Sequence, residues 1–192
     1  MKHGSRGLVS NDRGCQPYRI SEDSMKNSQL SDDEFLAAFE SGTLADFHHA
    51  DHIRVAWIYL RRLPVPRASE RMAESLRQFA ARKGVHQKYH ETITHAWMIL
   101  VWDALERDRK TAACKAATAG WAANSSPAKA RVNNAAYGFD AFAVGHPELL
   151  NTHALDKFYS ARLLTSPAAR TRFLPPDISP LPGNTHNPEL DP

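Results

Sequence analysis

Between Ser31 and Asp108 the chain is punctuated only at Ser41-Gly42, at Pro64 and Pro66, and at Gly84, and the intervals between these breaks carry apolar residues at helical spacing. Ser31 followed by Asp32, Asp33 and Glu34 is a capping-box pattern, with carboxylates at the positive end of a helix that runs to about Glu40. A second helix is expected from about Asp46 to Leu63, where the prolines end it. Pro66 suits the first turn of a third helix over 67–83, closed by Gly84. A fourth is expected from about His86 to Asp108. Short helices are expected over 139–144, 154–164 and 167–173, with Ser166-Pro167 supplying a cap and a first turn. No stretch alternates with period 2 between turn residues. The expected fold is therefore all-α: a compact helical bundle of about four main helices, short C-terminal helices and an extended Pro-rich arm.

A chain of 192 residues suits one core rather than two. Residues 1–28 mix Gly, Ser, Asn, Asp and Arg without periodicity and are expected to be a disordered extension. Met25 opens a more typical start, so the first 24 residues read as dispensable or as a misassigned beginning. Residues 29–175 form the expected single helical domain, with the Ala/Lys-rich stretch 109–137 as a flexible insertion. Seven of the twelve prolines lie between Pro167 and Pro192, which makes 176–192 an extended tail. No run approaches the roughly 18 apolar residues that cross a bilayer, so no membrane contact is expected. The N-terminus has no apolar signal core. Cys15 and Cys114 are the only thiols, too few for a four-cysteine zinc site, and no structural disulfide is expected; a reducing cytoplasm fits this.

The formal charge of +3 is unevenly distributed. Glu22 to Asp51 holds eight acidic residues against Lys26, whereas Arg54 to Lys88 holds nine Lys/Arg against Glu70 and Glu74. A basic surface on the middle helices follows, with Arg61, Arg62, Arg67 and Arg71 as its centre. It lacks the dense stripe with interleaved aromatics that marks a nucleic-acid interface.

Histidines are the residues with chemistry to offer. In DFHHADHIRVAWIYLRRL, steps of 100° gather Ile53, Ala56, Trp57 and Leu60 on one side and put Asp51, Arg54, Arg61 and Arg62 on the other. His49 falls on the apolar side and His52 on its flank; His48 lies further round. In HQKYHETITHAWMILVWDALERD, Tyr89, Ile93, Ala96, Trp97, Leu100 and Ala104 share a face from which His86 and His90 project. If the two helices face each other, His49, His52 and His90 converge, with His86 or Glu91 nearby. Three neutral imidazoles on rigid helices can hold a divalent metal (zinc, iron, manganese or copper) and leave a position open for water or substrate. Without a metal, one of these histidines, His90 foremost, can serve as a general base oriented by Glu91 or Tyr89, or Glu91 can itself be the base, on a small-molecule ligand. The third reading is structural, with each histidine hydrogen-bonded to its neighbours near the core. HETITH is one residue too long for the zinc-protease HExxH, and no Glu-x-x-His pair of the di-iron kind occurs. Trp57, Trp97 and Trp102 read as core, Tyr59 as packing with a hydroxyl near His52, Arg170 as a solvated residue by default or else a dock for the C-terminal arm on an acidic patch, and Cys114 as an ordinary helix-face residue.

The motifs Phe47-x-His49-x-x-His52-Ile53-Arg54-x-Ala56-Trp57 and Lys88-Tyr89-His90-Glu91-Thr92-x-Thr94 resemble those of a family of small, uncharacterised bacterial all-helical proteins. The likeness covers about residues 31–108 and 139–182. It implies the same two histidines on the second helix and no particular substrate; the stretch 109–137 looks longer than that family's linker.

The sequence thus leads to a helical protein with a buried histidine cluster, acting as a metal-dependent or histidine-based enzyme through His49, His52, His90 and Glu91. The alternative is a non-catalytic module whose basic helical surface binds an acidic protein or a nucleic acid; a helical partner subunit without chemistry of its own is a third.

Overall fold

Ser31 caps the first helix as its neighbours require. Its hydroxyl accepts from the Glu34 N–H at 3.3 Å, and the Glu34 carboxylate accepts from the Ser31 N–H at 2.9 Å. A computed structural model describes residues 27–44, 46–120 and 138–183. Its helices are α1 (Asp32–Ser41), α2 (His49–Arg62), α3 (Val65–Arg82), α4 (Glu91–Gly120), α5 (Phe139–Gly145), α6 (Ala161–Leu164) and α7 (Pro167–Thr171). Short 3-10 turns lie at His86–Lys88, Pro147–Leu150 and Ala154–Lys157. The fold is all-α, with no strand among the described residues.

Gly42 ends α1 with φ at 77°, a left-handed conformation that ordinary side chains resist. A Cβ there would stand 2.9 Å from Cδ of Arg82, whose guanidinium holds the Glu40 carbonyl. Gly84 ends α3 with φ at 69° and open space around it. Gly42→Ala should therefore lose about 1–2 kcal/mol of unfolding free energy in urea, and more than Gly84→Ala, which meets backbone strain alone. Equal losses would show that Arg82 swings aside freely.

Helix α2 is the centre of the molecule. Every residue from Ile53 to Leu60 is buried, and α1, α3 and α4 all pack against it. The helical wheel puts Arg54 on the solvent side, yet it is 8% exposed. The reason is that the segment before α1 crosses that face. Arg54 Nη1 donates to the Asn27 carbonyl (2.8 Å), Nη2 to the Leu30 carbonyl (2.7 Å), and Nη2 and Nε to Asp32 (2.9 and 3.2 Å).

The helix expected over 154–164 is instead a 3-10 turn and the short α6, and the entrances of α2 and α4 differ from expectation for clear reasons. Helix α2 starts three residues later than Asp46, because the Asp51 carboxylate accepts from the His48 N–H at 2.8 Å and so sets the helix entrance there. Helix α4 starts at Glu91 rather than His86, because Tyr89 is extended (φ −64°, ψ 143°) after a 3-10 turn. His86 and His90 consequently do not share a helical face. At its other end α4 continues through Arg109–Gly120, part of the stretch expected to be a flexible insertion; its alanines have high helix propensity. Residues 121–137, 1–26 and 184–192, on which the remaining insertion and terminal expectations fall, lie outside the described residues.

The described part of the Pro-rich arm, residues 176–183, has no helix and is docked. The Ile178 N–H donates to the Phe158 carbonyl (3.0 Å), Asp177 accepts from the Ser160 N–H (2.8 Å), and Leu181 is 2% exposed within the core. The core therefore runs past the boundary expected at residue 175.

Candidate functional site

A cavity of about 510 Å³ opens between the first turns of α2 and α4 and the C-terminal half of α3. Its floor is apolar: Phe47, Leu76, Phe79, Ile93 and Trp97. Phe47 stacks on Phe39 (4.8 Å between centroids) and tilts against Phe79 (4.9 Å), so this wall is continuous with the core. Polar groups enter from the helix starts, and His49, His52 and His90 all line the cavity. Each is engaged differently.

His49 occupies the first position of α2. Its Nε2 donates to the Leu149 carbonyl at 2.8 Å, which fixes the tautomer and leaves a lone pair on Nδ1. The ring tilts against Trp97 at 4.5 Å between centroids. Desolvation lowers its pKa, with the Leu149 carbonyl opposing. His52, one turn on, packs against Phe47 at 4.3 Å. The residue is half-buried, and neither of its ring nitrogens has a hydrogen-bond partner among the described residues. Desolvation first, then the neighbouring His49, brings its pKa down to about 3. Both rings sit in the first turn of α2, where the helix dipole also disfavours an imidazolium.

His90 is fully occupied. It precedes the first residue of α4, and its Nδ1 accepts from the Ile93 N–H at 3.3 Å in the manner of an N-cap. Its Nε2 donates to the Leu164 carbonyl at 2.8 Å. Glu91 does not line the cavity. Burial would raise its pKa, but hydrogen bonds from Tyr89 (2.7 Å), Arg77 (2.7 Å) and His95 (3.0 Å) outweigh that and lower it. A carboxylate so engaged is a poor proton acceptor. His86 is exposed and away from the cavity.

These bonds also bear on a metal. Among the described residues no group of three or more His, Cys, Asp or Glu is placed to hold an ion. His90 could join His49 and His52 as a ligand only by giving up its cap or its tie to Leu164. The three-histidine ligand set thus has no support in the geometry, which leaves Nδ1 of His49 and the ring of His52 as unengaged donors.

Sequence reasoning gave no role to Lys83 or to Lys88, although Lys88 opens the second motif; both line the cavity with Asp46. Lys83 leans over the Phe79 ring at 5.6 Å, and neither lysine forms an ion pair among the described residues. Of the remaining described histidines, His48 and His153 face Asp51 and Asp156 of their own segments. His95 belongs to the Glu91 network, and His146 is 6% exposed with Nε2 on Asp108 at 3.1 Å.

The basic surface is largely neutralised from within. Arg62 pairs with Asp33 (2.7 Å), Arg71 with Glu40 (2.9 Å), and Arg67 with Glu70 (3.8 Å); Arg61 stacks over Trp57 at 4.2 Å. The acidic and basic stretches that are separate in sequence thus meet across α1, α2 and α3. Tyr59, also on this side, donates its hydroxyl to Glu40 at 2.7 Å. No family model, curated protein or solved structure matches this chain.

Proposed function

We propose that the α2–α3–α4 cavity is the small-molecule pocket of an enzyme or enzyme-like protein, with His52 hydrogen-bonding the bound molecule and His49 as the group that exchanges a proton with it. The observation that carries this reading is the unpartnered imidazole of His52 on a cavity wall. The ring is half-buried rather than sealed, so a bound molecule can take its hydrogen bond without breaking a bond of the fold. A ring with a pKa near 3 stays neutral at physiological pH, so it serves as a hydrogen-bond donor or acceptor rather than as a base. His49 is better suited to proton transfer: a carbonyl orients its ring, as the third member of a catalytic triad orients its histidine. Two neutral imidazoles also suit a divalent metal, which would need further ligands from the bound molecule or from water. The acidic-partner reading has less behind it, because Arg62, Arg67 and Arg71 already hold carboxylates of this chain.

A residue kept for a ligand, not for the fold, should be dispensable to stability. His52→Leu is expected to leave the unfolding free energy at pH 7 unchanged within about 1 kcal/mol, since no hydrogen bond of the fold is lost with the imidazole. It should also remove an acid sensitivity. Because the folded pKa of His52 is depressed, its contribution is fully present above the unfolded value and is lost as pH falls from about 6.5 toward 3. Between pH 6.5 and 5 the wild type should lose about 2 kcal/mol that the variant keeps, read from urea unfolding at both pH values. A variant destabilised by 1 kcal/mol or more at pH 7 would make His52 a packing residue and sink the proposal.

A further inference from the structure

We propose that the natural ligand of this cavity is a small organic anion, with a carboxylate or similar head at the mouth and an aromatic or branched aliphatic body on the floor. The inference rests on the pocket reading above and adds the chemical class of the ligand. The volume of about 510 Å³ lies in the range of pockets that enclose drug-sized molecules. The floor of Leu76, Phe79, Ile93 and Trp97 offers dispersion contact and little polarity.

Charge selects the head group. On α3, Arg71 and Arg77 are each held by a carboxylate of the chain, Glu40 at 2.9 Å and Glu91 at 2.7 Å. Lys83 and Lys88, at the cavity mouth, form no ion pair among the described residues. The first turns of α2 and α4 both border the cavity, and each brings the positive end of a helix dipole. Asp46 is the opposing charge on the rim, and it leaves the balance positive. Asp51 and Glu91 stand in those first turns but are engaged by the His48 N–H and Arg77 and do not line the cavity; along the lining itself two ammonium groups face one carboxylate, which favours an anion over a cation. The neutral imidazoles of His49 and His52 then face a polar atom further along the ligand.

The test uses two fluorescent probes that share one apolar body, titrated into the full chain at pH 7 and low ionic strength. 8-Anilinonaphthalene-1-sulfonate carries an anionic head, and N-phenyl-1-naphthylamine lacks it. The sulfonate should bind about 10-fold more tightly, and Lys83→Gln/Lys88→Gln should remove that advantage while leaving the neutral probe unchanged. Both lysines are exposed, so this variant should melt as the wild type does. Leu76→Trp, which fills the floor, should exclude both probes. Equal affinities in the wild type, or a sulfonate affinity that ignores both lysines while Leu76→Trp still blocks it, would overturn the anion proposal and leave the pocket standing. Failure of both probes to bind, or binding unaffected by a folded Leu76→Trp, would overturn the pocket reading and this inference with it.

Discussion

Replacing Arg54 by alanine should destabilise the protein by about 3–4 kcal/mol, the largest loss expected of any single substitution considered. The side chain is 8% exposed, its guanidinium lies 4.4 Å over the Phe35 ring, and its donors reach two backbone carbonyls and a carboxylate. Alanine would leave the carbonyls of Asn27 and Leu30 and the carboxylate of Asp32 without their donor. It would also open space beneath α1. Asp32→Asn is the control, because Asp32 is partly exposed and both carbonyl bonds survive; about 1 kcal/mol should be lost. Arg54→Lys should fall between the two, since one ammonium cannot replace a planar fork that serves three acceptors. Urea unfolding at pH 7 orders the three variants. A loss under 1 kcal/mol for Arg54→Ala would mean that water reaches those carbonyls and that α2 is not sealed on this side.

Arg54 also shows what a helical wheel can and cannot reveal. The wheel reports which side of α2 is apolar, and the burial of Ile53, Ala56, Trp57 and Leu60 agrees with it. It has no information about what crosses the other side. The cover comes from residues 22 to 27 positions earlier, and besides the Asp32 carboxylate its acceptors are the Asn27 and Leu30 backbone carbonyls, which carry no side-chain signature. Local signals fared well for the same reason in reverse. The Ser31 cap, the Gly42 and Gly84 stops and the Pro64 break depend on neighbours within four residues, and each ends or starts a helix where it stands. The start of α4 was missed because an extended Tyr89 has no local breaker. It is drawn out by the Glu91 carboxylate, which also holds Arg77 on α3.

The run Lys88-Tyr89-His90-Glu91-Thr92-x-Thr94 makes the same point at the site. Its residues suggest chemistry, yet most of their polar atoms serve the fold. Thr92 is fully buried; its hydroxyl donates to the Arg172 carbonyl at 2.9 Å and accepts from the Leu174 N–H at 3.1 Å. Arg170 donates to the Gln87 carbonyl at 3.0 Å. The entrance of α4 is therefore where the C-terminal segment is fastened, over separations of 74 to 83 residues that no local pattern encodes. The histidines of α2 carry no such duty apart from the single bond from His49 to Leu149. On the proposed reading, this division puts the binding chemistry on α2 and the clamp on α4.

His90→Ala should separate these duties, with an expected loss of about 2–3 kcal/mol. Removing the Nδ1 acceptor takes away the cap on the Ile93 N–H, about 1 kcal/mol, and removing Nε2–H leaves the Leu164 carbonyl without its donor in a buried setting. His90→Asn tests the partition, because asparagine is among the best N-caps but is too short to reach as far as an imidazole. It should recover about 1 kcal/mol of the loss and no more. Circular dichroism melts and urea unfolding at pH 7 read both variants, and an N-phenyl-1-naphthylamine titration at a temperature where each stays folded reads the cavity. The structural role predicts that stability falls in both and that binding of the neutral probe survives within about threefold, since the floor is intact. The opposite pattern, with wild-type melting and probe binding lost, would return His90 to the site as a group that touches the bound molecule. The clamp at the head of α4 would then have to be carried by Thr92 and Arg170 without it.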